Sequence, residues 1–178
     1  WSMGKIVSQT EIKSDGDVFH ELWRSRLHHI TNISPDKIQG CELHEGDWGT
    51  VGSVIFWKYF HTLLSSLMLS LHSGALDMMA IFILFSCEII DGKAKVAKDV
   101  IDELDEKNKT VILRVIEGDL LELYKSFVIT VHVATKDENT LVTWTLEYEK
   151  RSDDVENPNT SMDFVVKVPN DIETHHLK

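Results

Sequence analysis

Apolar and polar positions alternate along most of the second half of the chain. Phe127, Ile129, Val131 and Val133 take turns with Val128, Thr130, His132 and Ala134, the period of two that gives a strand one core-facing side. After a turn at Lys136 to Asn139, Val142, Trp144, Leu146 and Tyr148 alternate with Leu141, Thr143, Thr145 and Glu147. Further strands are predicted over Thr110 to Glu117, closed by Glu117-Gly118-Asp119, and over 93–100 ahead of a turn at 105–108. The first half opens with a strand over 4–13 that runs into the turn-prone Ser14-Asp15-Gly16-Asp17. From Asp17 to about Ile30 the period changes. Val18 and Leu22, and then Phe19, Trp23, Leu27 and Ile30, keep helical spacing, which predicts two short helices with a bend near Arg24-Ser25. Pro35 stops helix at Ser34. Strands over Lys37 to Glu45 and Ser53 to His61 then flank the turn EGDWGTVG. Pro158 to Leu177 reads as a closing helix with Met162, Val165, Val166 and Ile172 on one side. Pro169 is predicted to kink or interrupt it.

The order is one strand, two short helices, six antiparallel strands and a long helix. It predicts an α+β fold in which a seven-stranded curved antiparallel sheet wraps on the C-terminal helix. Such a sheet leaves a gap against a single helix unless large side chains fill it, which is a physical route to an internal hydrophobic cavity.

Composition narrows the function. A chain of 178 residues, 43% hydrophobic and 26% charged, fits one folded domain. Its formal net charge of −11 argues against nucleic acid and anionic headgroups, which need clustered Lys and Arg. Cys41 and Cys87 form neither a disulfide framework nor a CxxC pair, so no metal or cofactor is expected. The opening WSMGKIVSQTE lacks the apolar core of a signal peptide, and a cytoplasmic setting is expected, with Met3 one candidate start.

Several long strings are familiar together: LHHITNISPDKI (27–38), HEGDWGTVGSVIFWKYFH (44–61), DGKAKVAKDVI (91–101), VIEGDLLELYKSF (115–127) and LVTWTLEYEK (141–150). They resemble the major latex proteins of the Bet v I superfamily, which also holds the pathogenesis-related class 10 proteins. The resemblance implies a helix-grip fold with two short helices in a V. It also implies a large cavity for sterols, fatty acids or phenolics, a role in plant defence or stress, and binding without chemistry. Some members of that superfamily catalyse alkaloid condensations or isomerisations, so an enzyme on the same scaffold is the alternative. Ile55 stands where many relatives carry a lysine, and Pro169 is unusual inside the last helix.

The resemblance lapses over 62–90. These 29 residues, TLLSSLMLSLHSGALDMMAIFILFSCEII, contain no Lys, Arg, Pro, Trp or Tyr. They read as an addition to the family domain, and three origins compete. An in-frame translated intron is the plainest. A docking helix would use Leu63, Leu67 and Leu71. A membrane span is opposed by Asp77, at about 2.5–3.5 kcal/mol, and by the missing basic flank. The run at 78–87 also predicts aggregation of the full chain.

Candidate cavity residues follow from strand parity and the family's inward positions. They are Ile55, Trp57, Tyr59 and His61 on the third strand, in preference to the Val54, Phe56, Lys58, Phe60 face. Val111, Leu113, Val115, Phe127, Ile129, Val131, Val142, Trp144, Leu146 and Tyr148 follow on later strands, with Phe19, Leu22, Val165 and Val168 on helices. Any one of them also reads as plain core. Glu45, Gly46, Asp47, Trp48, Gly49 and Gly52 form a glycine turn able to gate a cavity; it lacks the GK[ST] ending of a phosphate loop. Glu117 is placed to accept bonds from that turn. The pairs His28-His29 and His175-His176 read as surface histidines, and the run Asp99, Asp102, Glu103, Asp105, Glu106 as a solvated strand end and turn. Chemistry would need a lysine or carboxylate inside the cavity, with Lys98 and His61 the nearest candidates. The expected partner is a hydrophobic small molecule bound by a monomer, with a membrane entering only through 62–90.

Overall fold

The computed structural model describes residues 3–35, 37–59 and 95–176. His61, the segment 62–90 and the side chains of His175 and His176 lie outside the described residues. The sheet has seven antiparallel strands: β1 (Met3–Ile12), β2 (Ile38–Glu45), β3 (Val54–Tyr59), β4 (Lys95–Asp105), β5 (Thr110–Gly118), β6 (Tyr124–Lys136) and β7 (Asn139–Lys150). Their order across the sheet is β1-β7-β6-β5-β4-β3-β2. Neighbours from β2 to β7 are consecutive in the chain, so local turns set most of the pairing. β1 and β2 occupy opposite edges, and the chain between them must cross the whole sheet.

Two short helices make that crossing. α1 (Gly16–Ser25) starts where Asp15 accepts the amide of Asp17 through Oδ1 at 2.7 Å, an N-cap that satisfies an otherwise orphaned donor. It buries Phe19, Leu22 and Trp23 against β5 and β6. A 3-10 turn (Leu27–His29) and α2 (Ile30–Ile33) follow, which is the bend the spacing predicts. A third helix, α3 (Leu120–Leu123), lies between β5 and β6.

The closing helix α4 (Asn159–His176) packs on β1, β7 and α2 with Met162, Val168 and Ile172 buried. Helix continues through Pro169, so the predicted interruption does not occur. Proline removes one donor, but packing on the sheet outweighs that local loss. Asp171 anchors the helix: its Oδ2 accepts Ser34 Oγ at 2.6 Å and Lys37 Nζ at 2.7 Å, tying α4 to the end of α2 and the start of β2.

Register shifts bend the sheet around α4. They fall between Ile38 and Gly40 and between Leu43 and Glu45 on β2, between Ile101 and Glu103 on β4, at Ile116 on β5 opposite Lys98 and Asp99, and between Tyr124 and Ser126 on β6. Bulges of this kind raise local twist and curve a strand. Among the described residues no helix is long and apolar enough to cross a membrane.

Candidate functional site

Between the concave face of the sheet and α4 lies a cavity of about 90 Å³. Its floor is a row of directly paired residues, Leu113 on β5, Ile129 on β6 and Leu146 on β7. Val115, Phe127 and Trp144 extend the floor, Trp57 and Tyr59 wall it from β3, and Val165 and Val168 roof it from α4. These ten are candidates that strand parity and the family's inward positions singled out. On β3 Trp57 and Tyr59 are buried and Lys58 is exposed.

The remaining described candidates are buried but stand off the wall. Val111, Val131 and Val142 share the inward parity, yet they sit at the end of the sheet covered by α1. A Cβ on Gly16, at the start of that helix, would lie 3.2 Å from Val133, and Phe19 and Leu22 belong to the same packed cluster. Side chains fill that end, so inward parity there yields core rather than cavity. Tyr148 is taken up at the other end by Tyr124 and Phe127, with ring centroids 5.4 and 6.4 Å away. Ile55 is fully buried opposite Asp99 without reaching the cavity.

The wall also holds residues outside the predicted set: Trp23, Ile38, Ala97, Leu120, Ser161, Phe164 and, above all, Asp99. Trp23 meets Trp144 edge-on with centroids 4.9 Å apart, and Phe164 meets Tyr59 at 5.6 Å. Asp99 contradicts the reading of its acidic run as solvated. β4 runs on to Asp105, so Asp99 is a mid-strand residue in the inward row with Ala97 and Ile101, and it is only 4% exposed. Asp102 fits the solvated reading better, pairing with Arg114 at 2.8 and 3.0 Å near the surface.

Burial pushes the Asp99 carboxyl up to about 7, and the nearby indole of Trp57 draws it partly back. Even so, Asp99 Oδ1 and Trp57 Nε1 are both buried without a hydrogen-bond partner of good geometry among the described residues. The Nε1 atoms of Trp23 and Trp144 are in the same state. Cys41 on β2 and Tyr59 feel the same carboxyl, and burial, reinforced by that charge, holds both firmly neutral. Lys98 turns away and gives Nζ to Glu117 at 2.7 Å. Neither residue therefore plays the part the sequence offered it: Lys98 is not in the cavity wall, and Glu117 pairs with Lys98 rather than with the glycine turn.

That turn lies away from the cavity. Gly46, Gly49 and Gly52 take left-handed φ of 82°, 73° and 89°. Ser53 closes the turn, accepting the Asp47 amide at 3.0 Å and donating to the Asp47 carbonyl at 2.7 Å. Gly49 backs onto the last turn of α1, where a Cβ would lie 3.2 Å from the Arg24 carbonyl. Trp48 covers the half-buried His28 ring at 4.8 Å, so His28 is not the open surface histidine expected. None of Glu45, Gly46, Asp47, Trp48, Gly49 or Gly52 lines the cavity. A wider depression of about 500 Å³ instead adjoins it at the start of α4, sharing Tyr59, Leu120 and Ser161 with its wall. Among the described residues no three His, Cys, Asp or Glu side chains converge as a metal-binding set.

Comparison with known proteins gives consistent similarities. Residues 2–62 and 70–178 match the pathogenesis-related protein Bet v 1 family. The chain is 42% identical over 176 residues to MLP-like protein 31 of Arabidopsis thaliana, covering 98% of this chain and 86% of that protein. It is 40% identical to MLP-like protein 28 of the same plant over 98% of this chain, but spans only 44% of that longer relative. The crystal structure of major latex-like protein 151 from Panax ginseng superposes with a TM-score of 0.79 at 45% identity, covering 99% of both chains. Norcoclaurine synthase from Thalictrum flavum shares the fold alone, with a TM-score of 0.62 at 13% identity over 98% of this chain and 88% of that one.

Proposed function

The chain belongs to the pathogenesis-related protein Bet v 1 family, among its MLP-like members, and from that premise we propose that it binds and carries an apolar small molecule in the cavity under α4. The observation that carries this reading is the wall itself. Three indoles, two phenyl rings and aliphatic side chains face a shared space with very few polar atoms. Burial of apolar surface at about 25 cal/mol per Å² supplies the affinity in such a site.

Size favours one ligand class. An ordered water needs about 10–15 Å³ of such space, so about 90 Å³ has room for roughly six to nine groups of that size. A small phenolic fits with little adjustment. A sterol or long fatty acid requires the start of α4 to move outward into the neighbouring depression, which also makes that mouth the natural entry. Sequestering a reactive phenolic suits a part in plant defence or stress, and needs no catalytic group.

Native mass spectrometry of the full chain after exposure to a plant extract tests the reading. Retention of one apolar molecule per chain is the expected result. Failure to retain any molecule, together with no binding of small aromatic probes, refutes it.

An acid–base enzyme is the second reading, and Asp99 is the observation behind it: a carboxyl in the cavity wall with its pKa raised to about 7. Dopamine and hydroxybenzaldehyde, the pair bound in the structure of the distant norcoclaurine synthase, provide a test. Condensation by this chain that disappears in Asp99→Asn supports catalysis. No product above the uncatalysed background removes it.

A further inference from the structure

A carboxyl in an apolar cavity, with no cation beside it among the described residues, is unusual for a fold that serves only to hold hydrocarbon. Asp99 is 4% exposed, belongs to the cavity wall and leaves Oδ1 without a partner among the described residues. The nearest lysine in sequence, Lys98, is committed to Glu117 on the other side of the strand. Cys41 from β2 and Tyr59 from β3, the titratable groups that feel Asp99, stay neutral and bring no compensating charge. Trp57, two positions from Ile55 on the adjacent strand, brings its buried N–H near the carboxyl without closing a hydrogen bond of good geometry. An acceptor and a donor, both buried and neither in a hydrogen bond of good geometry, therefore share a mostly apolar wall whose other polar atoms belong to Tyr59, Ser161 and two further indoles.

We propose that Asp99 and Trp57 form a polar seat in the cavity that takes the hydroxyl of a neutral phenol or alcohol. The inference rests on the carrier reading and specifies its ligand. A hydroxyl both donates and accepts: its hydrogen goes to Asp99 Oδ1 and its oxygen accepts from the Trp57 indole. A hydrocarbon fills the space but leaves both protein groups unpaired, the situation in which a buried polar site discriminates most strongly. A carboxylate brings an acceptor and a like charge against Asp99 and is rejected. The apolar wall grips the ring, and the seat chooses which ring.

Isothermal titration calorimetry of the full chain at pH 7.5 with 4-ethylphenol, ethylbenzene and 4-ethylbenzoate tests the seat. The wild-type chain is expected to bind 4-ethylphenol at least about tenfold tighter than ethylbenzene, with 4-ethylbenzoate the weakest. Asp99→Leu, checked for native circular dichroism, should bind ethylbenzene more tightly and lose the preference for the phenol. Asp99→Asn keeps an acceptor oxygen and should keep part of the preference, which separates a lost hydrogen bond from a damaged fold. Equal wild-type affinities for 4-ethylphenol and ethylbenzene, or a preference that survives in Asp99→Leu, overturn the seat and spare the carrier. Failure of all three probes to bind the wild-type chain overturns the carrier reading and the seat with it.

Discussion

Replacing Asp99 by asparagine should stabilise the protein at alkaline pH and not at acidic pH. In the unfolded chain this carboxyl ionises at its ordinary value of 3.8, whereas in the folded chain burial holds the proton until about pH 7. Below 3.8 both states are protonated and no penalty arises. Between those values the unfolded state binds fewer protons, so stability falls as pH rises, and above about 7 the penalty is constant. Each pH unit is worth about 1.4 kcal/mol, so the full penalty approaches about 4 kcal/mol, a large part of the stability of a domain this size. The asparagine side chain cannot ionise and escapes it. The amide introduces its own buried polar group, at about 1–3 kcal/mol if unpaired, but that term does not vary with pH. The difference between the two proteins is therefore the quantity to follow, and effects of the surface carboxylates largely cancel from it. Urea unfolding followed by circular dichroism at pH 4, 6, 7 and 8.5 gives that difference directly. It should grow by about 3–4 kcal/mol in favour of Asp99→Asn from the lowest pH to the highest. Parallel stability profiles would show that Asp99 ionises at an ordinary pH, and the picture of an uncompensated carboxyl would be wrong.

Two further outcomes follow from the backbone. Gly118 has a φ of +120°, and a Cβ there would lie 2.2 Å from the Val96 carbonyl oxygen, whereas Gly52 has a φ of +89° with open space around it. Gly118→Ala should thus cost about 3 kcal/mol or more and Gly52→Ala about 1 kcal/mol, read from urea midpoints; equal midpoints for the two variants would refute the steric account. We also predict that a variant lacking 62–90 keeps the native circular dichroism spectrum and melts within a few degrees of the full chain while aggregating less. An unfolded variant would make that segment part of the domain.

Much of the architecture was legible because its strands are long and one-sided. The alternation through 127–148 marks β6 and β7, and Trp57 and Tyr59 face inward as their parity suggests. Parity says which side a residue faces, however, and not what has already filled the space there. That is why Val111, Val131 and Val142 are core while Leu113, Ile129 and Leu146, further along the same face, line the cavity. Asp99 was hidden by its neighbours: an acidic run suggests solvent, and the weight of Asp102, Glu103, Asp105 and Glu106 carried Asp99 with it. The signal that could have found it is the alternation Ala97, Asp99, Ile101 against Lys98, Val100, Asp102. Helix α3 is four residues long, too short to show a period, and the seat of the glycine turn against α1 is a tertiary fact with no local signature.

The pairing of Tyr59 with Lys95 reaches beyond the sheet itself. Whatever lies between them, the chain leaves one strand and returns to its immediate neighbour. Had it passed from His61 straight to Asp91, six residues would have made the connection; 60–94 makes it with 35. Closing the longer span costs only about 1.5 kcal/mol more, because closure entropy grows with the logarithm of length. The connection between β3 and β4 can therefore lengthen at little entropic cost to the sheet. The same position offers a protein engineer a port for grafting a reporter between two neighbouring strands.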